Sequence, residues 1–96
     1  PKERDAKELR VKVEKSGNNQ LNVSINLAGA QNKAPPDLFV EGPAEWNLLP
    51  ARFEGRDGER LHYKLDLSRA PADADFLGNE LRYTLSTGSS GIEFRH

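Results

Sequence analysis

Leu21, Val23, Ile25 and Leu27 alternate strictly with Asn22, Ser24 and Asn26, the period-two pattern of a strand with one buried face. Leu9, Val11 and Val13 alternate in the same way with Arg10, Lys12 and Glu14. So do Leu61, Tyr63, Leu65 and Leu67 with His62, Lys64 and Asp66, and Leu81, Tyr83 and Leu85 with Arg82, Thr84 and Ser86. Shorter strands are expected at 38–40, at 48–53 with an interruption at Pro50, and at Ile92 and Phe94. Ser16-Gly17-Asn18-Asn19, Gly55-Arg56-Asp57-Gly58 and Thr87-Gly88-Ser89-Ser90-Gly91 carry turn chemistry, because Gly and Asn tolerate the positive φ of a tight reversal. Residues 28–36 read as a crossing loop, and 68–78 as a connection holding at most one turn of helix. The expectation is an all-β fold, an immunoglobulin-like antiparallel β-sandwich of about seven strands.

A length of 96 residues fits one domain with one modest core. Residues 1–8 are charged and nearly free of apolar surface, so they are expected to be a flexible N-terminal segment preceding a single sandwich domain over 9–96. Within Asn79-Glu80-Leu81-Arg82-Tyr83-Thr84-Leu85, Tyr83 stands two residues before the position where antibody domains have their second cysteine. A hydroxyl bonded back to the backbone would make this a tyrosine corner, with Leu85 packing where the cysteine would sit. The plainer reading is a half-buried strand tyrosine with its hydroxyl in water.

The least generic stretch runs from Pro35-Pro36 through Leu38-Phe39-Val40 to Gly42-Pro43 and Trp46, the only tryptophan. Proline at its start and Gly-Pro at its end suit an edge strand. Trp46 reads in two ways. It either fills the core, which a domain with one Trp, two Tyr and four Phe favours, or it stands exposed after the turn to stack on a sugar or fill a partner's pocket. The polar face of Asn22, Ser24 and Asn26 carries no charge, and uncharged strand faces are cheaper to desolvate. These three residues, with Gly42, Pro43 and Trp46, are the candidate partner contacts.

Charge changes the picture by exclusion. Fourteen basic residues against 15 acidic ones give a net charge of −1, without the basic stripe of a nucleic-acid binder. Neither a polybasic tail nor a basic amphipathic helix points to a membrane surface, and the longest apolar runs span only a few residues, so no direct membrane insertion is expected. The chain starts at Pro1 without methionine and is expected to be an excised domain or mature fragment. With no cysteine there is no disulfide, no thiolate metal site and no thiol chemistry within this chain.

Candidate chemistry is thin. His62 lies on the polar face of its strand beside Lys64, and His96 is the last residue, so no histidine pair has ligand spacing. Ser86, Thr87, Ser89 and Ser90 are turn residues without a nucleophile elbow or a nearby base. Asp73, Asp75, Asn79 and Glu80 supply hard oxygens suited to calcium, but without the glycine-punctuated loop of such sites; Asp there is expected to accept backbone N–H bonds instead. No catalytic residue, metal or cofactor is assigned.

Phe39-Val40-Glu41-Gly42-Pro43 resembles the periplasmic N-terminal region of the DsbD/ScsB family of membrane thiol-disulfide reductases. The tail is similar too, in Leu77-Gly78, Leu81, Tyr83-Thr84-Leu85, Gly88 and Ile92-Glu93, so the likeness spans about 37–96. That family passes electrons from a membrane domain to periplasmic domains through paired cysteines, and this chain departs from it in having none. The resemblance implies a periplasmic, non-catalytic immunoglobulin-like accessory domain of a bacterial envelope reductase. Its partners would be neighbouring domains of the same chain and a thioredoxin-like periplasmic protein, with the domain positioning a cysteine-bearing neighbour or contacting the redox partner. The alternative from the residues is a carbohydrate- or ligand-binding sandwich using Trp46.

Overall fold

A computed structural model describes residues 8–17, 19–29, 34–43, 46, 48–71, 73–76, 78–86 and 91–96, together with the backbone of residues 2–3. Eight strands are described: β1 (Lys2–Glu3), β2 (Lys12–Ser16), β3 (Gln20–Asn26), β4 (Asp37–Glu41), β5 (Arg52–Asp57), β6 (Arg60–Asp66), β7 (Arg82–Ser86) and β8 (Gly91–Arg95). One sheet has the order β2-β3-β6-β5 and the other β1-β8-β7-β4. All pairings are antiparallel except that of β1 with β8. Without the two-residue β1, the seven remaining strands divide as first-second-fifth-fourth against seventh-sixth-third. That is the connectivity of an immunoglobulin-like sandwich, as the alternation of the sequence predicts.

The core is built by the inward rows of both sheets. Leu21, Val23 and Ile25 of β3 pair across with Leu65, Tyr63 and Leu61 of β6, and all six are buried. Facing them are Leu38 and Val40 of β4, Tyr83 and Leu85 of β7, and Phe94 of β8. Tyr83 stacks on Phe94 with ring centroids 5.0 Å apart. Leu85 is fully buried, so packing occupies the place of a disulfide sulfur. No charged or polar residue is buried among the described residues, so the core has no desolvated charge to compensate.

A side-chain hydrogen bond joins the two sheets through this apolar interior. The Tyr63 hydroxyl, on β6, donates to the carbonyl of Pro36 at 2.6 Å, just ahead of β4. The residues around Pro36 end a crossing loop, and a buried carbonyl there needs a donor. From the sequence, Tyr83 reads either as the source of such a hydroxyl-to-backbone bond or as a half-buried tyrosine with its hydroxyl in water. The structure gives it to Tyr63 instead, and no hydrogen bond of the Tyr83 hydroxyl is seen among the described residues.

Several boundaries differ from the periodic pattern, each for a local reason. The alternation from Leu9 to Val13 predicts one strand, but Arg10 has φ of 47° and turns the chain, so β2 starts only at Lys12. Leu9 is nonetheless buried, and its carbonyl accepts from Asn26 N–H at 2.7 Å. The left-handed turn is held by Arg60, whose guanidinium donates to the Arg10 carbonyl, Asn26 Oδ1 and Ser24 Oγ at 2.7, 2.7 and 2.8 Å.

The edge strand expected at 48–53 lies later: Ala51 bridges to Leu38, and β5 runs from Arg52 through Asp57. The turn expected at 55–58 therefore shortens to Gly58-Glu59, where Gly58 takes φ of 61°, and Gly55 instead sits at a register shift within β5. The connection at 68–78 contains two tight turns, Ala70 N–H to the Leu67 carbonyl and Ala74 N–H to the Pro71 carbonyl, both 3.0 Å, and no helix among the described residues. Lys2–Glu3, within the segment expected to be flexible, pairs with Ile92–Glu93. The turn expected at 87–90 lies outside the described residues, as do Asn18 and residues 30–33 of the crossing loop.

Tyr63→Phe removes the donor and leaves the Pro36 carbonyl unsatisfied, so it is expected to cost about 1–3 kcal/mol in chemical denaturation. A change within about 0.5 kcal/mol would show that water serves the carbonyl equally well. The two tyrosines also set an alkaline limit. Burial, and then the charge of Asp37, push Tyr63 up to about 12 against the opposing effect of Arg56, and burial alone pushes Tyr83 up to about 12. Their folded values lie above the unfolded value near 10, so the unfolded chain releases protons first as pH rises. Their stabilisation is therefore complete below about pH 10 and lost on approaching pH 12. Denaturation midpoints should fall across that window, and less steeply in Tyr63→Phe.

Candidate functional site

The segment after β4 is shaped by a close approach. The Pro43 carbonyl accepts from Trp46 N–H at 2.9 Å, closing a turn. That turn folds the Trp46 ring under Gly42: a Cβ at position 42 would sit 2.8 Å from Trp46 Cε3. Only glycine leaves room there. Trp46 is 8% exposed and packs against Phe76 with centroids 4.6 Å apart and planes tilted by 52°. The tryptophan is therefore a core residue, and its ring has no open face for a sugar.

Gly42 and Pro43 themselves are exposed and line an open groove of about 420 Å³. Its floor is Leu81, and its far wall carries Arg82 and Arg95. These two arginines are direct cross-strand partners on β7 and β8. Glu41 on β4 is the partner of Arg82 on the other side, so one row reads Glu41, Arg82, Arg95. Arg82 also lies 3.7 Å from Glu93. Glu80 adds a second carboxylate at the rim, leaving the groove close to neutral.

The connection beneath this groove is organised by Asp75. Its Oδ1 accepts from Gly78 N–H at 2.8 Å, and its backbone carbonyl accepts from Asn79 Nδ2 at 2.7 Å. The carboxylate thus satisfies the backbone, the role expected for an aspartate in such a loop. Among the described residues, no group of three or more His, Asp or Glu stands where it would hold a metal ion.

Asn22, Ser24 and Asn26 fall on the outer face of β3, as the alternation predicts, but on a sheet surface that is not uncharged. Asn22 has Glu14 and Lys64 as cross-strand partners, Ser24 has Lys12 and His62, and Asn26 has Arg60. Lys12 pairs with Glu14 at 3.0 Å, and Arg52 with Glu54 at 2.8 Å. Ser24 and Asn26 accept from Arg60, so two of the three side chains are already engaged in holding the chain at Arg10. The two candidate patches, on β3 and at Gly42-Pro43, belong to different sheets and do not form one site. His62 is exposed on the β6 outer surface, and His96 exchanges two backbone hydrogen bonds with Leu81, extending the β7–β8 ladder.

Three features stand out that the sequence reading did not single out: the Tyr63 bond, the Arg60 clamp and the arginine pair. Only strand register brings the last two together, and register cannot be counted from one strand. Phe39 is different. It is 40% exposed on the outer face of β4, and its place between inward Leu38 and Val40 was legible in the alternation.

Gly42→Ala should displace the Trp46 ring, costing about 1–3 kcal/mol in stability as overpacking does. The same variant should shift tryptophan emission to longer wavelength. An unshifted spectrum with unchanged stability would mean that the turn yields without moving the ring.

Compared with known protein families, characterised proteins and solved structures, the chain matches none, so the likeness to the DsbD/ScsB family rests on the residues that carry it.

Proposed function

We propose that this chain is a non-catalytic accessory domain of a bacterial envelope thiol-disulfide reductase, working in the periplasm by positioning a cysteine-bearing neighbour or contacting a thioredoxin-like redox partner. The observation that carries this reading is the segment from Phe39 to Pro43. It bears the resemblance to the DsbD/ScsB family, and it forms β4 and the glycine turn locked over Trp46. The same segment leaves Gly42 and Pro43 exposed on an open groove. A chain without cysteine has no thiolate of its own to exchange electrons, which suits a positioning role. The sugar-binding alternative loses its support, because it needs an open Trp46 ring and that ring is packed on Phe76.

The test is turnover of the full-length reductase with its redox partner, with and without residues 1–96. The whole stretch must go, because each sheet pairs strands from both sides of the crossing loop or across the full chain. Electron delivery is expected to slow while the alkylation rates of the remaining cysteines stay unchanged. A contact of this kind buries less than about 1,200 Å² and is transient, so the loss should appear mainly at low partner concentration. Turnover equal to that of the intact protein, with the remainder folded and inserted, would overturn the reading.

A further inference from the structure

At the end of β2, the connection after β6 lines a cleft of about 260 Å³. Its lining is mostly apolar: Leu67, Ala70, Pro71, Ala74 and Phe76. Leu67 and Phe76 are themselves buried. Leu67 N–H donates to the Asn19 carbonyl at 2.7 Å, which ties the connection to the turn between β2 and β3. The two tight turns at Leu67–Ala70 and Pro71–Ala74 fix the rest of the wall.

One cation completes this lining. Lys15 is the cross-strand partner of buried Leu21, as Val13 is of Val23, so it stands on the inner face of β2. Lys12 and Glu14 lie on the outer face and pair with each other. No Asp or Glu is found among the described residues that line the cleft, and Lys15 forms no ion pair among the described residues. Asp66, at the end of β6, has its Oδ1 engaged by Ser68 N–H at 2.9 Å. The cleft is therefore apolar with a single uncompensated positive charge.

We infer that this cleft binds a small apolar carboxylic acid as its anion, with the carboxylate on the Lys15 ammonium and the carbon chain against Leu67, Ala74 and Phe76. A concave, mainly apolar site with a few placed polar groups is the usual form of a small-molecule site. Apolar walls keep water from one side of the ammonium, and lower polarity strengthens its attraction for an anion. Size limits the ligand. At about 30 Å³ per water the cleft has the room of roughly nine waters, enough for an acid of about that many non-hydrogen atoms. An inward lysine on an edge strand also discourages pairing with other strands, a role that is indifferent to any ligand. The binding goes beyond the proposed accessory role and is measured on the 96-residue chain alone, so either can fail without the other.

Trp46 provides the readout, because its ring packs on Phe76 of the cleft. Hexanoate added at constant ionic strength should change Trp46 emission along a saturating curve, with a dissociation constant of about 1–10 mM for a ligand of so few atoms. The amide resonances of Leu67, Ala70 and Ala74 should move on the same curve. Hexylammonium, of the wrong charge, and acetate, too short to reach the apolar wall, should produce neither change. Lys15→Gln, at an exposed position that does not threaten folding, should weaken hexanoate about tenfold, and Lys15→Arg should retain it. A response that never saturates would overturn the inference. So would hexylammonium binding as tightly as hexanoate, or an affinity that Lys15→Gln leaves unchanged.

Discussion

The bond from the Tyr63 hydroxyl to the Pro36 carbonyl is the buried side-chain constraint that ties one sheet to the other. Apolar contacts press the sheets together but are non-directional, so they fix distance better than register. A single donor reaching from β6 to the residue ahead of β4 pins where the crossing loop ends. From that point Leu38 and Val40 enter the core, Ala51 bridges back to Leu38, and Phe39 is turned outward. The packing of Phe53 against Tyr63, edge to ring at 5.5 Å, keeps the phenol aimed at its acceptor.

A second polar device works at the surface. Arg60 spans from β6 over β3 to the Arg10 carbonyl, holding a residue in a left-handed conformation that a side chain with Cβ adopts at a cost of roughly 1–2 kcal/mol. The same guanidinium engages Ser24 and Asn26. A strand face that reads as an uncharged contact surface is thereby recruited for structure. The Gly42-Pro43 turn is shaped by the opposite logic, with apolar Trp46 packed tightly against a residue lacking Cβ, and that tightness leaves the turn's outer side presented to solvent.

The candidate surface is modest and built of side chains at strand crossings. The groove beside Gly42 is nearly neutral because Glu41 and Glu80 offset Arg82 and Arg95. The exposed aromatic on β4 and Arg95 on β8 lie on the same face, with Arg82 of β7 between those two strands.

By itself the sequence determined the class of fold, the number of long strands and most of the core, because a period-two alternation assigns each side chain to a face without reference to any partner strand. Leu21, Val23, Ile25, Leu61, Tyr63, Leu65, Leu81, Tyr83 and Leu85 are buried as their positions in that alternation require. It also marked Asp75 as a backbone acceptor and Trp46 as a core residue by preference. Only the tertiary structure decided which tyrosine reaches across the sandwich, because Tyr63 and Tyr83 stand in equivalent alternating runs and differ only in what faces them. It likewise decided where β2 starts, since the positive φ at Arg10 depends on a guanidinium 50 residues away. The opposition of Arg82 and Arg95 and the charges around Asn22 arise from strand register, a relation between segments that no single segment carries.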